Sequence, residues 1–409
     1  MQTSISNNDF DVIVVGGGPA GASAAYQLSK NGTRVLLFEK EKIPRYKTCG
    51  GGIVGRIKNI LPFDFEEIIE KKCFSVNVIC HHDNLKFVSE KKEPIIMMTM
   101  RENFDHFLIS KVKSFGTVVK DECEVKNVYN DNDGVIAETI KGKFKAKFLI
   151  SADGAIGKIS KKNLVYNHNF NLPALEYEVL VEKNIYLKFC QGARFDFDII
   201  SDGYGWVFPK RDHLSIGVIS MKRKNLNLNK ILDEYLKILG IENFLKVEKH
   251  GFIIPISNRK ENYSQDRILF TGDSVGLADP VTAEGITNSI LSGFFAADSI
   301  IQGNFNKNLV AKYYNKKIKQ EILHENKYAK IISTIIYNFP RLRFILFRLY
   351  GQKLCELITD IFIEKKKYST QLLNPLNYLK LIKYIFVQTN QVEKSNQFSK
   401  SPKYSDNYN

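Results

Sequence analysis

The runs Asp11–Val15 and Arg34–Phe38 are short, almost wholly apolar, and rich in Val and Leu. Runs of that length and composition read as strands buried on both faces. Residues 20–30 between them are alanine-rich and predict a helix, with Gly32 as its stop. Strand, helix and strand within about thirty residues make a βαβ unit. Further on, "MMTMRENFDHFLISKVKSF" predicts a strand end followed by a helix, and "KFKAKFLISADGAIGKIS" a strand running into a turn. From about 165 to 260 the chain is dense in strand-like runs, among them "LEYEVLVEKNIYLKFC" and "GYGWVFPK". That stretch predicts an antiparallel sheet inserted into the first domain, because "RILFTGDSVGLADPVTAEGITNSILSGFFAADSI" returns to strand, loop and helix. From Asn308 to about Val387 the pattern is helical, and the rest is a polar tail expected to be disordered.

The glycines of the first unit give it chemistry. Gly16, Gly18 and Gly21 have G-x-G-x-x-G spacing after a strand and at the opening of a helix, and Glu39 ends the next strand. In that context Gly16 allows the tight turn, Gly18 lets backbone approach a pyrophosphate, and Gly21 permits close helix–strand packing. The helix N-terminus offers amide donors to the anion, and Glu39 can accept from ribose hydroxyls. The second half decides between NAD and FAD. Gly272 and Asp273 end an apolar strand far downstream. An Asp there can hold ribitol hydroxyls, and a helix starting near Gly285 can face a flavin pyrimidine with its positive end. The expected fold is therefore α/β: a Rossmann-like FAD-binding domain, split over 9–165 and 262–305, with an inserted antiparallel β-sheet substrate domain at 166–261. A C-terminal helical segment follows at 306–387, then the tail at 388–409. The Gly-rich loop near 50 belongs to the first domain, and strands at 70–100 are candidates to join the substrate sheet.

Composition narrows the setting. At 409 residues, with 44% apolar and 25% charged residues, the chain is an ordinary globular protein of two or three structural units. The apolar runs are too short to span a bilayer, and residues 1–10 have no secretory pattern. Six scattered cysteines without a C-x-x-C pair, and seven histidines without ligand spacing, argue against a zinc site or a disulfide scaffold; no metal is expected. The expected location is cytoplasmic, at or near the inner face of the membrane. The net charge of +15 is concentrated late: residues 301–409 hold 19 Lys and Arg against 7 Asp and Glu, and 17 of the 47 Phe and Tyr. Aromatics, aliphatics and cations mixed in this way suit either an interfacial helix on an anionic membrane or a helical cap with a basic outer face. No recognition motif accompanies the charge, so nucleic acid is not expected as a partner.

Together these motifs resemble the geranylgeranyl reductase group, within the larger fold of p-hydroxybenzoate-hydroxylase-like FAD enzymes. "GGGPAGASAA", Glu39, "SADGA" (with Asp153) and "GDSVG" carry the broad fold; "KTCGGGI", "RENFDHFL", "GYGWVFPK" and "ADPVTAEGI" carry the group. The resemblance spans roughly residues 10–300. It implies FAD contacts at Ala20, Glu39, Cys49, Gly50, Gly52, Arg101, Asp273, Gly285 and Ile286, with Val125 toward the adenine. Arg101 would offer a fork to phosphate or ribitol oxygens, and Gly50 to Gly52 would let backbone lie on the isoalloxazine. Arg45 is either a further pyrophosphate partner or a solvated charge. Tyr204, Trp206 and Phe208 alternate onto one face and, with Pro209, are expected to wall an apolar substrate. No catalytic acid is evident; Cys49, Tyr204 and Trp206 are the candidates for lining the reaction cavity. Two departures stand out: Ala283 where the group reads Gly, and Gly157-Lys158 where it reads Ser-Arg.

The implied activity is FAD-dependent reduction of C=C bonds in a prenyl lipid, with NAD(P)H or ferredoxin as electron donor and peripheral membrane contact through the basic C-terminal region. A monooxygenase or halogenase of the same fold is the alternative, although Tyr204 replaces the first Trp of a halogenase W-x-W. A non-catalytic flavin- or lipid-binding protein is the alternative from another class.

Overall fold

The structure, a computed structural model, describes residues 10–163, 171–222, 226–256 and 263–375, together with the backbone of a strand at Ile5–Ser6. The expected tail and the aromatic-basic stretch at 376–387 lie outside the described residues.

The βαβ unit forms as the pattern predicts. Strands Val12–Val15 and Val35–Phe38 pair in parallel and are buried throughout, with helix Pro19–Lys30 between them in sequence. The sheet runs Val118–Lys120, Val35–Phe38, Val12–Val15, Phe148–Ser151, Ile268–Phe270, with Ser264–Gln265 antiparallel at its edge. Its register fixes the site. Val15 is paired with Phe38 on one side and Ser151 on the other, and Ser151 with Phe270. Four strands therefore end in one row, and the segments that follow them leave the sheet at a shared carboxyl edge, where open α/β sheets bind ligands. Helix Ile286–Gln302 packs across helix Pro19–Lys30 so closely that a Cβ on Gly293 would lie 2.2 Å from the Ala20 carbonyl oxygen.

The second sheet has seven strands, in the order Lys246–Pro255, Asn171–Leu180, Leu214–Ser220, Gly203–Pro209, Ala193–Phe197, Ser75–Cys80, Leu85–Glu90. Two of the strands at 70–100, candidates for this sheet, do join it. It is not wholly antiparallel, because the Ala193–Phe197 pairing with Ser75–Cys80 is parallel. A parallel pair needs a long crossover, and here the crossover runs through the nucleotide-binding domain. One face of this sheet packs Tyr177, Val179, Val207, Leu214, Ile216 and Val218 against Leu232, Tyr235 and Leu236 of helix Leu228–Ile238. The other face looks back at the carboxyl edge of the first sheet.

The C-terminal helices close the far side. Lys307–Lys317 continues through one π-helical stretch, Ile318–Leu323, into His324–Asn338. Pro340 then starts Pro340–Phe362, as its fixed φ and missing N–H favour. This last helix covers the edge strand Leu85–Glu90: a Cβ on Gly351 would meet the Phe87 ring, and Gln352 exchanges hydrogen bonds with the Val88 N–H (3.3 Å) and C=O (2.8 Å). The segment is thus a cap on its inner face, while Ile331, Phe339, Leu342 and Ile345 remain exposed.

Because backbone meets backbone at Gly293, the contact cannot yield by rotamer change. Gly293→Val should destabilise the protein by about 3 kcal/mol, read as a lowered midpoint in chemical denaturation.

Candidate functional site

A cavity of about 760 Å³ lies between the carboxyl edge of the first sheet and the open face of the second, a size typical of ligand sites. It brings together residues from widely separated segments: Gly16, Gly18, Ala20, Glu39, Cys49, Gly50, Gly52, Arg101, Val125, Asp153, Asp273, Gly285 and Ile286, with Tyr204, Trp206 and Phe208 opposite. Two expected residues do not reach its wall. Gly21 packs inward, where a Cβ would lie 1.9 Å from the Gly16 carbonyl oxygen. Pro209, expected to touch substrate, is one position past Phe208 on an alternating strand and so belongs to the opposite face.

The charges at the glycine turn form one network. The carboxylate of Glu39 accepts from the Gly17 N–H (2.9 Å) and from Arg45 (3.1 Å). Asp105, almost fully buried, accepts from Arg45 (2.8 Å) and from two nitrogens of Arg101 (2.9 Å each). Arg45 is therefore built in and is not a solvated charge. A Cβ on Gly18 would be 3.8 Å from Arg45 Nη2 and 4.0 Å from Arg101 Nη2. Two guanidiniums thus converge over the residue whose bare backbone leaves room for a pyrophosphate. Sequence reasoning missed Asp105, although its i+4 spacing from Arg101 on one helix was a usable signal.

The cavity also holds a carboxyl outside that network. The Asp273 carboxyl faces the cavity beside Gly285 and has no hydrogen-bond partner among the described residues. Burial pushes its pKa up, against the pull of Lys47 and Arg101. Asp153 behaves differently: its carboxylate is occupied by the Ser151 hydroxyl (2.8 Å) and the Ile159 N–H (2.9 Å), holding the turn into Lys158–Asn163. At Ala283 the backbone is left-handed, with φ +58°. Glycine adopts that conformation freely, which accounts for the group's Gly where this chain has Ala.

The loop at Cys49–Gly52 is clamped on both sides. Lys210, wholly buried, donates to the Gly50 and Thr99 carbonyls (2.8 Å each). At Gly50 a Cβ would sit 3.1 Å from Trp206 Nε1 and from the Phe208 ring. These glycines therefore make room for the aromatic wall as well as for a ligand. Cys49 Sγ accepts from the Gly51 N–H (3.4 Å). Lys47 points into the same cavity, its Nζ 3.1 Å from the Phe252 ring centroid; burial, and then the charge of Arg101, lower its pKa to about 8. Lys47 opens one and Lys210 closes another of the motif stretches on which the resemblance rests, but only the fold shows where they point. Among the described residues no group of side chains is arranged to hold a metal, and all six cysteines are free.

The orphaned Asp273 carboxyl, the bare Gly18 backbone under two guanidiniums and the Glu39 carboxylate together match the ribitol, pyrophosphate and ribose of FAD. Comparison with known proteins agrees. The family model for the FAD binding domain matches residues 9–302. An uncharacterised protein of Methanosarcina barkeri is 31% identical, over 82% of this chain and 86% of its own length. The chloroplastic geranylgeranyl diphosphate reductase of Arabidopsis thaliana is 26% identical, over 90% and 81%. Among solved structures, a geranylgeranyl bacteriochlorophyll reductase-like protein of Thermoplasma acidophilum superposes with a TM-score of 0.71 at 22% identity, covering 87% of this chain and 91% of that one. The flavin-dependent brominase Bmp2 superposes with a TM-score of 0.67 at 18% identity, covering 86% and 93%.

Asp105→Asn removes the shared anchor of both guanidiniums. It should weaken FAD binding by about tenfold or more, since hydrogen bonds to charged groups carry about 1.5–3 kcal/mol. Titration of the apoprotein with FAD, followed by flavin fluorescence, checks this.

Proposed function

The chain belongs to the FAD binding domain family, and we propose that it is an FAD-dependent oxidoreductase that reduces C=C bonds in the geranylgeranyl or polyprenyl chain of a lipid, quinone or diphosphate. The observation that carries this reading is an aromatic wall set directly against the Gly-rich loop. Tyr204, Trp206 and Phe208 line the cavity opposite the nucleotide-holding edge, and Phe195, Ile219, Ile254 and Phe362 extend the apolar lining around them. A prenyl chain offers methyl groups and isolated double bonds with no polar handle. A wall of rings and branched aliphatics holds such a chain by burial and excludes water from it. The relatives named as geranylgeranyl reductases support the same substrate class.

Arg45 and Arg101 would bind the pyrophosphate, with Asp105 fixing their direction. Glu39 would take the adenosine ribose, and Val125 would lie toward the adenine. Asp273 would hold ribitol hydroxyls, while the amide end of helix Ile286–Gln302 at Gly285 and Ile286 would face the flavin pyrimidine. FAD, when bound and reduced, supplies hydride. Lys210 keeps the Cys49–Gly52 loop in place, where its bare backbone would lie against the flavin, and Cys49, Tyr204 and Trp206 would border the reacting region. Tyr204 is fixed there by its hydroxyl, which donates to the Thr282 carbonyl. The halogenase alternative fits less well, because Tyr204 stands where a halogenase W-x-W begins. The electron donor in this reading is docked NAD(P)H or ferredoxin.

Dithionite-reduced enzyme given geranylgeranyl diphosphate should yield products heavier by about 2 Da per double bond by mass spectrometry. A gain of one oxygen with NADPH in air would assign the protein to the monooxygenases instead.

Membrane contact through the C-terminal helices is part of this reading. No helix among the described residues is long and apolar enough to cross a bilayer. Ile331, Phe339, Leu342 and Ile345 are nevertheless exposed near the exposed Lys327, Arg341 and Arg348, as interfacial binding to anionic lipid requires. On their inner side the same helices reach the cavity region, with Tyr337 and Phe347 packed against Tyr204 and Phe197. In flotation with vesicles containing phosphatidylserine, the wild type should co-float, and Phe339→Asp with Ile345→Asp should abolish this without loss of bound flavin.

A further inference from the structure

Reduction of an alkene consumes a proton as well as a hydride. None of the motifs supplies an acid, but the second sheet does. Its cavity face is divided. Strand Gly203–Pro209 gives the aromatic side chains, and strands Asn171–Leu180 and Lys246–Pro255, apolar at Ala174, Phe252 and Ile254, turn titratable at Glu176, Glu178, His250 and Glu248. Register places Trp206, Gly217, Glu176 and His250 in one cross-strand row, and Phe208, Ser215, Glu178 and Glu248 in the next. Gly217 has no side chain to separate the first two: a Cβ there would lie 2.1 Å from the Trp206 ring. The aromatic wall therefore abuts Glu176.

Glu176 is 2% exposed and borders the cavity. Its Oε1 accepts from the Tyr46 hydroxyl (3.0 Å) and from the Cys49 N–H (3.3 Å), while Oε2 has no hydrogen-bond partner among the described residues. No cation among the described residues pairs with it. Lys210, whose charge acts on it, is committed to two carbonyls. Glu178 lies two residues on, about 6.6 Å along the same face. It is also buried, and neither of its oxygens has a well-directed hydrogen bond. His213 Nε2 lies 3.2 Å from Glu178 Oε2, and its Nδ1 lies 2.7 Å from the exposed Asp212 carboxylate. The remaining ionisable neighbours are His250, stacked on Tyr46 at 4.1 Å between centroids, and Glu248 across from Glu178. Burial, and then the Glu178 charge, lift the Glu176 carboxyl to about 7. Burial opposes charge on His213, but Glu178 and Asp212 raise its pKa overall.

We propose that Glu176 is the acid of this site and that Glu178 and His213 form the path by which solvent reprotonates it. The proposal rests on the reductase reading. The alkene π bond is consumed. One carbon receives hydride, two electrons and one hydrogen, from reduced flavin. The other forms its C–H bond as the Glu176 O–H bond breaks. The carboxylate left behind takes a proton through Glu178 from His213, and His213 takes one from water.

Two measurements on the FAD-loaded protein test this. The first needs no substrate. A carboxyl that ionises near 4.5 when unfolded and near 7 when folded stabilises the fold at low pH, and that stability is lost as pH rises through about 7. Glu176→Gln should flatten this part of the stability profile; an unchanged slope would mean that Glu176 is ionised at neutral pH, and would overturn the proposal. The second follows reoxidation of the dithionite-reduced flavin by geranylgeranyl diphosphate in a single turnover. The wild-type rate should fall as pH rises through about 7. Glu176→Gln should be slower by about 10²-fold or more and insensitive to pH over that range, with FAD binding and dithionite reduction intact. His213→Ala should slow steady-state turnover more than the first turnover, and added imidazole should restore it. An active wild type with an equally fast Glu176→Gln variant sinks the proposal alone. A wild type that does not reoxidise sinks the reductase reading, and the proposal with it.

Discussion

The structure depends on four parallel strands ending in one row. Val15, Phe38, Ser151 and Phe270 are in register across the first sheet. The segments leaving those ends carry Gly16, Glu39, Asp153 and Asp273, which are separated by more than two hundred residues in sequence. A one-residue slip of any strand would exchange the side chains packed on its two buried faces and withdraw its terminal residue from the edge. The core therefore enforces the site: the burial that stabilises the sheet also fixes where the two halves of a dinucleotide can be gripped. Gly293 adds to this, because the close helix contact it permits holds the second half of the domain against the first.

Charge at that edge is managed by sharing. Two arginines close together would repel, and burying them without partners would be costly. Asp105 binds both, and Glu39 takes the remaining side of Arg45. The guanidiniums stay over Gly18 before any anion arrives, so little ordering remains to be done on binding. Asp273 is not hydrogen-bonded into this network: among the described residues its carboxyl has no partner, although Lys47 and Arg101 act on its charge, so the cavity offers FAD both fixed cations and an uncommitted carboxyl.

Much of this was legible in the sequence, and the limits have physical causes. Local signals gave the βαβ unit, the glycine turn and the position of Glu39 at a strand end, since each depends on spacing over a few residues. Tyr204, Trp206 and Phe208 were placed on one face by strand alternation alone, and the same alternation excludes Pro209 from that face. The parallel joint between Ala193–Phe197 and Ser75–Cys80 left no local trace, because it depends on a crossover longer than a hundred residues. Lys210 and Asp105 act on loops distant in sequence. Glu176 and Glu178 were visible as the polar half of an alternating strand, "LEYEVLVEK". Alternation assigns such a face to solvent, and only the packing of the two domains turns it toward a cavity.

That last point bears on how one sheet serves two needs. Hydride transfer to an isolated alkene requires a dry, apolar surround, whereas proton supply requires ionisable groups and a route to water. Placed together, these requirements conflict, because a buried charge raises the cost of the apolar site and water would quench the reacting region. The sheet separates them by strand. The aromatic side chains lie on strand Gly203–Pro209 and the carboxyls of Glu176 and Glu178 two strands away, where His213 and Asp212, in the turn before strand Leu214–Ser220, meet solvent. Gly217 forms the boundary, letting the Trp206 ring lie over the strand that separates it from Glu176, with no side chain between them. A residue with a Cβ at that position would displace the indole and part the two halves. The arrangement therefore depends on a missing side chain as much as on any functional group.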